Sequence, residues 1–241
     1  MKIEESLEVA GKTELAMVEP ASRVLSVHIA NQLREAIVSD QLKAGQRIVE
    51  GEIAAAIKTS RGPVRDALLI LENEGLVVRH AHRGTYVAEL SLEDAEEIYT
   101  LRRAIESLAL AYVIKCATPA DLDELDALVH EMADKIAAGC NAGEATELDM
   151  TFHRTLCRMS GHGRALAAWE ALSGQTRILL LSRFKKRPGD FQALAVEWHR
   201  RLIEVLRQGK LEQAQAELRT HLGATLESFA ADDHDQIVKS G

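Results

Sequence analysis

After Val87 the chain carries no strand signal, and from residue 92 to residue 229 its apolar side chains recur at three- and four-residue steps. A pattern of that period buries one stripe of a helix and cannot line one face of a strand. Glycine or proline marks the breaks, at residues 139–143, 161–163, 188–189 and at Gly209. Ser91-Leu92-Glu93-Asp94 resembles a capping box with Asp in place of Glu or Gln, and predicts a long helix to about Lys115. Thr118 followed by Pro119 predicts the next, with Thr as N-cap and Pro at the first helical position. Further helices are predicted over about 144–159, 165–184, 191–207 and 211–230. Aromatics make up only 4% of the chain while Ala, Leu, Glu and Arg abound, and unbranched side chains lose little freedom in a helix. The expectation is an all-α bundle of six or seven helices.

The first third reads differently. From Ser22, the residues Val24, Val27, His28, Ala30, Leu33, Ile37 and Val38 keep a helical period, and Lys43-Ala44-Gly45-Gln46 reads as a turn. A short second helix, about 49–57, offers Ile53, Ala54 and Ile57 on one face. Ser60 opens a third helix as N-cap, with Pro63 in the first turn, where a missing N–H costs little. Val64, Ala67, Leu68 and Leu71 form its buried stripe before Gly75 stops it. Residues 76–79 and 83–87 read as two short strands around the polar tip His80-Ala81-His82. Three helices and a β-hairpin in under 70 residues form the layout of a winged helix-turn-helix. The expected fold is mainly α. A flexible leader over 1–20 precedes the winged domain at 21–88; a linker at 89–92 leads to the bundle at 93–232, and a tail covers 233–241.

Net charge is −8, which by itself argues against a nucleic-acid partner. Its distribution changes that reading: residues 21–88 hold 9 Lys and Arg against 7 Asp and Glu, and residues from 89 onward hold 18 against 25. A slightly basic reader on an acidic body fits the layout. The first 20 residues have no apolar core of a signal peptide. The longest apolar runs fall far short of the roughly 20 residues a membrane span needs. Cys116, Cys140 and Cys157 are odd in number and lack C-x-x-C spacing, so free thiols in a cytoplasmic protein that meets no membrane are expected.

The run Thr59-Ser-Arg-Gly-Pro-Val-Arg-Asp-Ala-Leu68, with Leu71-Glu-Asn-Glu-Gly-Leu76 and Arg83-Gly-Thr-Tyr-Val87, resembles the GntR family of bacterial regulators. A recognition helix presents its N-terminal residues to base edges in the major groove. Arg61 and Arg65 lie four apart on one face of the third helix, and Arg best matches guanine O6 and N7. Ser60 can meet a phosphate, Gly62 and Pro63 complete the motif, and His82-Arg83-Gly84 forms a wing tip suited to the minor groove. The ordinary alternative pairs the arginines with Asp66 or Glu72, and leaves His82 a plain turn residue. Two positions depart from the family pattern: Gly62 where Thr is common, and Gly51 where many members carry Arg.

In the bundle, Asp149 and His153 stand at i and i+4, and His199 and His221 follow on later helices among apolar neighbours. Such a set suits a divalent metal, although a single histidine on an apolar face is more often a hydrogen-bonded core residue. The region 92–229 resembles the FCD ligand-binding domain of the FadR-type subgroup, carried also by Leu101-Arg-Arg-Ala-Ile-Glu106. That resemblance implies that Asp149, His153, His199 and His221 hold a divalent ion, zinc first and nickel or manganese as alternatives. It also implies that Arg102 reaches an effector pocket suited to a small carboxylate; the alternative is a surface i,i+4 pair with Glu106. Arg177 is a weaker pocket candidate, and Trp169 and Trp198 read as core or pocket wall. The expected protein is a metabolite-responsive repressor that binds a pseudo-palindromic operator in double-stranded DNA as a homodimer, and answers to a small organic acid. The competing expectation is a metal-dependent hydrolase or oxygenase using the same four residues.

Overall fold

The structure, a computed structural model, describes residues 20–39, 41–186 and 188–239, so the leader, apart from Pro20, and the last two residues of the tail lie outside it. Along the chain it runs α1 (Pro20–Val38), β1 (Arg47–Ile48), α2 (Glu50–Ala56), α3 (Arg61–Asn73), β2 (Val77–His80) and β3 (Gly84–Val87). There follow α4 (Leu92–Cys116), α5 (Pro119–Ala137), α6 (Ala142–Met159), α7 (Gly163–Lys186), α8 (Pro188–Arg207) and α9 (Leu211–Lys239). The tail expected from residue 233 is helix as far as Lys239, and Pro188 and Gly189 open α8 instead of preceding it.

The helix starts follow from their caps. Ser91, Thr118 and Asn141 each accept from the backbone N–H of Asp94, Asp121 and Glu144, whose carboxylates return the bond to the cap N–H. Ser60 stands at the N-cap of α3 with extended backbone but makes no side-chain cap bond, contrary to the sequence expectation. The reason is local: the N3 residue whose N–H such a hydroxyl would take is Pro63, which has none. At the other end of α3, Gly75 (φ +68°) turns the chain, with its N–H on Glu72 O and the Leu76 N–H on Leu71 O. That stop sends residues 77–80 directly into the wing.

The sheet has three strands in the order β1-β3-β2, all antiparallel, with Arg47 opposite Tyr86 and Val77 opposite Val87. Two residues, Arg47 and Ile48, supply a strand that the hairpin reading did not contain. Ile29, Ala30, Ile37, Val64, Leu68, Leu71, Leu76 and Val87 close the core beneath it. The face of α1 is rotated from the expected one: Val24, Val27 and His28 are exposed and Ile29 is buried. Ile57 is likewise exposed at the end of α2, where Ala54 carries the packing.

Helices α4–α9 form the bundle, with one core around Leu110, Leu125, Phe152, Leu156 and Leu218 and another around Met132, Cys157, Trp169 and Leu180. The winged unit docks on α7. A methyl group added to Gly174 would overlap the Glu74 carbonyl oxygen, and one on Gly75 would come 2.5 Å from Gln175 Cγ. Ile178, one turn on, packs against the winged core. Arg34 of α1 braces the contact by gripping Glu74 with Nε at 2.9 Å and Nη2 at 2.6 Å. Glycine at 174 therefore lets the end of α3 lie directly on α7.

Candidate functional site

Ser60, Arg61, Gly62 and Arg65 are exposed at the start of α3, and Pro63 is half-buried there. The Ser60 hydroxyl, released from capping, faces outward with them. Neither expected alternative partner holds the arginines. Arg65 meets Glu50 at 3.2 Å with 61% of its side chain exposed, while Glu72 pairs with Arg79 at 3.6 Å. Arg61 lies over the bare Cα of Gly51, where a Cβ would come 3.3 Å from its Nη2. At the wing, His82 takes a left-handed backbone (φ +61°), Tyr86 donates its hydroxyl to Arg83 O at 3.2 Å, and Gly84 (φ +109°) passes close to Arg47. His82 and Arg83 are exposed and Gly84 half-buried.

In the bundle, α6 brings Asp149 and His153, α8 brings His199 and α9 brings His221 to one point. All four are buried, and one ligand atom from each lies within 4.8 Å of the others. The approach is made by ring nitrogens: His153 Nε2 is 3.1 Å from His221 Nε2 and 3.4 Å from His199 Nε2. Asp149 stands 3.6 Å from His199 Nε2 and 3.9 Å from each of the other two. Burial drives the His199 imidazole down to about 4 against the opposing pull of Asp149. Burial also takes His221 well below its ordinary range, with the other two histidines adding to it. The His199 and His221 rings are therefore neutral at pH 7.

Glu106, absent from the expected site, organises this cluster from α4. His153 Nδ1 lies 2.7 Å from its Oε2, Arg102 Nε donates to Oε1 at 2.8 Å and Trp169 Nε1 donates to Oε1 at 2.9 Å. Burial pushes the Glu106 carboxyl up, but Arg102 and His153 outweigh it and hold it at about 2. A carboxylate there accepts the His153 proton on Nδ1 and leaves a lone pair on Nε2, aimed at the other two rings. Three imidazoles and an unpaired Asp149 Oδ2 thus converge with more lone pairs than protons to fill them. A divalent cation satisfies that donor set, and tetrahedral or octahedral sites of nitrogen and oxygen are built from such residues.

Arg102 is not the surface pair that i,i+4 spacing allows: its side chain is 1% exposed, and Nη1 and Nη2 are buried without a partner beside Tyr99. Arg177 is paired with Glu147 at 2.5 Å away from this cluster. Trp169 is core and donor at once, and Trp198 sets its edge against the His221 ring. Tyr99, Arg102 and Glu106 share one face of α4, and Trp169, Thr176 and Arg183 recur every seven residues on α7. Polar residues interrupting otherwise apolar stripes were the signal for both sets.

Comparison with known proteins places these features in company. The model described as bacterial regulatory proteins, gntR family, matches residues 25–87, and the FCD domain model matches residues 97–224. The HTH-type transcriptional regulator YdhC of Bacillus subtilis is 30% identical over 192 residues, covering 79% of this chain and 84% of its own. The gluconate operon transcriptional repressor of the same organism is 31% identical over 169 residues, covering 68% and 69%. Among solved structures, a GntR transcriptional regulator from Rhodococcus sp. RHA1 superposes with a TM-score of 0.70 at 24% identity, over 86% of this chain and 97% of that one.

Proposed function

The chain belongs to the GntR family of bacterial regulatory proteins and carries an FCD domain, and from that premise we propose that it is a metal-containing, carboxylate-responsive repressor. That it is a DNA-binding transcription regulator follows from the family; its relatives are regulators, which sets aside the hydrolase or oxygenase alternative. Among the described residues no helix is long and apolar enough to cross a membrane, and we place the protein in the cytoplasm with its operator.

Ser60, Arg61 and Arg65 read bases and phosphate in the major groove, Gly62 and Pro63 let the start of α3 approach, and His82, Arg83 and Gly84 enter the neighbouring minor groove. One winged unit serves one half-site, so a pseudo-palindromic operator takes two copies of the chain. A stable monomer in sedimentation that still binds a full operator tightly would contradict the dimer.

In the bundle, Asp149, His153, His199 and His221 hold a divalent ion, zinc before nickel or manganese. Such an ion offers open coordination positions to an oxygen ligand. Arg102, fixed through Nε by Glu106, turns its two terminal nitrogens to a carboxylate. The observation that carries this reading is the pair of orphaned Arg102 nitrogens beside four converging metal donors. A relative named for a gluconate operon agrees with it, since gluconate is a small carboxylate. Occupancy shifts the balance between two placements of the winged units, which requires unequal effector affinity for the two. The test is metal analysis of protein purified without chelator or His-tag, followed by operator binding with and without organic acids. Metal-free protein, or operator affinity indifferent to every acid, would overturn it.

A further inference from the structure

Arg183 of α7 is 6% exposed, and among the described residues no carboxylate pairs with it. Its Nη1 donates to Thr225 Oγ1 at 3.0 Å, and Thr225 donates to the His221 carbonyl at 3.1 Å, one turn below the metal ligand. Its Nε is buried without a partner, and the Phe184 ring is 6.0 Å away, at the outer limit of a cation–π contact. A buried guanidinium with one hydroxyl for company is costly, and proteins ordinarily match such a charge. Arg102 differs, because Glu106 matches it.

Two further orphaned donors lie on the same two helices as the arginines. Tyr99 Oη and Thr176 Oγ1 are also buried and unpartnered, and both guanidinium charges act on Tyr99 and on His221. Thr176 lies two turns before Arg183 on the same face of α7, and Tyr99 lies one turn before Arg102 on α4. Both arginines therefore act on the same buried tyrosine and on the same histidine of the metal cluster, and each helix adds an unpartnered hydroxyl. Charge gives the same answer. Arg102 and Arg183 balance Glu106 and Asp149, so a divalent ion would add two positive charges to a dry interior.

We infer that the effector is a dianion with two carboxylates, one at Arg102 and the metal donors and the other at Arg183. This rests on the carboxylate reading above and narrows it: a monocarboxylate would leave Arg183 unmatched. Tyr99 and Thr176 are placed to donate to the carboxylate oxygens or to a hydroxyl between them.

Calorimetric titration of the zinc-loaded protein with succinate, glutarate, butyrate and gluconate tests it. Charge-assisted hydrogen bonds are worth about 1.5–3 kcal/mol, so a dicarboxylate is expected to bind on the order of 100-fold more tightly than a monocarboxylate of equal length. Arg183→Met, which keeps the apolar stem, should bring succinate down to the affinity of butyrate, and Arg183→Lys should restore part of the difference. Equal affinity for succinate and butyrate, or tighter binding of gluconate, would overturn the dianion while leaving the carboxylate reading intact. Failure of all four acids to bind the zinc-loaded protein would overturn both.

Discussion

In the winged unit Arg65 leaves 61% of its side chain in solvent and leans on Glu50 at 3.2 Å, whereas in the bundle Arg102 and Arg183 lie buried with nitrogens that bond nothing. The same side chain suits two kinds of recognition because its surroundings differ. An exposed cation acts through a screened field, loses little when its partner leaves, and gives binding that weakens with salt. A buried cation is fixed by neighbours such as Glu106 and Thr225, and its unpaired nitrogens penalise any occupant that fails to meet them. The first arrangement suits a long polyanion read by contact; the second suits a small acid chosen by charge and shape.

The largest effect should come from the residue that sets up the buried arrangement. Glu106→Gln leaves Arg102 without its counter-charge, and breaking a buried pair costs about 3–5 kcal/mol. Both tryptophans, Trp169 and Trp198, lie in the bundle, so their fluorescence in urea isolates that loss. Metal affinity should fall by about 10- to 100-fold as the His153 tautomer is released. Unchanged unfolding would show that the comparison misplaces the cost of burial.

Zinc comes next. At 100 times its dissociation constant it should stabilise the bundle by about 2.7 kcal/mol, read as a rise in Tm. Without metal, the bundle has its own pH dependence. His199 and His221 hold their protons less well folded than unfolded, so the unfolded chain takes up protons first as the pH falls. Stability present above about pH 6.5 should be lost as pH falls toward 4, and zinc occupancy should fall with it. A metal-free protein equally stable at pH 7 and pH 5 would contradict the neutral cluster.

Smaller effects belong to the exposed side and to the joint. Arg65→Ala should cost on the order of 1–3 kcal/mol on a specific operator and relax one position of each half-site. Equal losses on random DNA would show contact with phosphate alone. Gly174→Ala should cost about 1–3 kcal/mol as α7 pushes the Glu74 carbonyl away, separating the unfolding of the winged unit from that of the bundle. A single unchanged transition would show that the contact carries no coupling.

What the sequence made legible follows the same divide. Helix starts at Ser91 and Thr118, the stop at Gly75 and the paired strands of the wing were readable, because capping and turn chemistry act within a few residues. Asp149, His153, His199 and His221 were readable as candidates, though only folding brings their donors within 4.8 Å. Strand β1 was not readable, since two residues carry no period and exist as a strand only beside β3. Glu106 and Arg183 were hidden for a related reason. Glu106, one turn from Arg102, looks like half of a surface pair, and Arg183, just before Lys185 and Lys186, looks like part of a solvated basic run, until the neighbouring helices bury both.

Operator binding followed by fluorescence anisotropy tests the division of labour most directly, using a duplex selected from random sequence and zinc-loaded wild type beside His199→Ala. Without added acid the two should bind the duplex alike, because the winged core around Leu68 and Leu71 is separate from the metal cluster. With succinate, the wild-type affinity should shift severalfold and that of the variant should not. A variant that loses its DNA affinity outright, or that responds to the acid as the wild type does, would contradict the account.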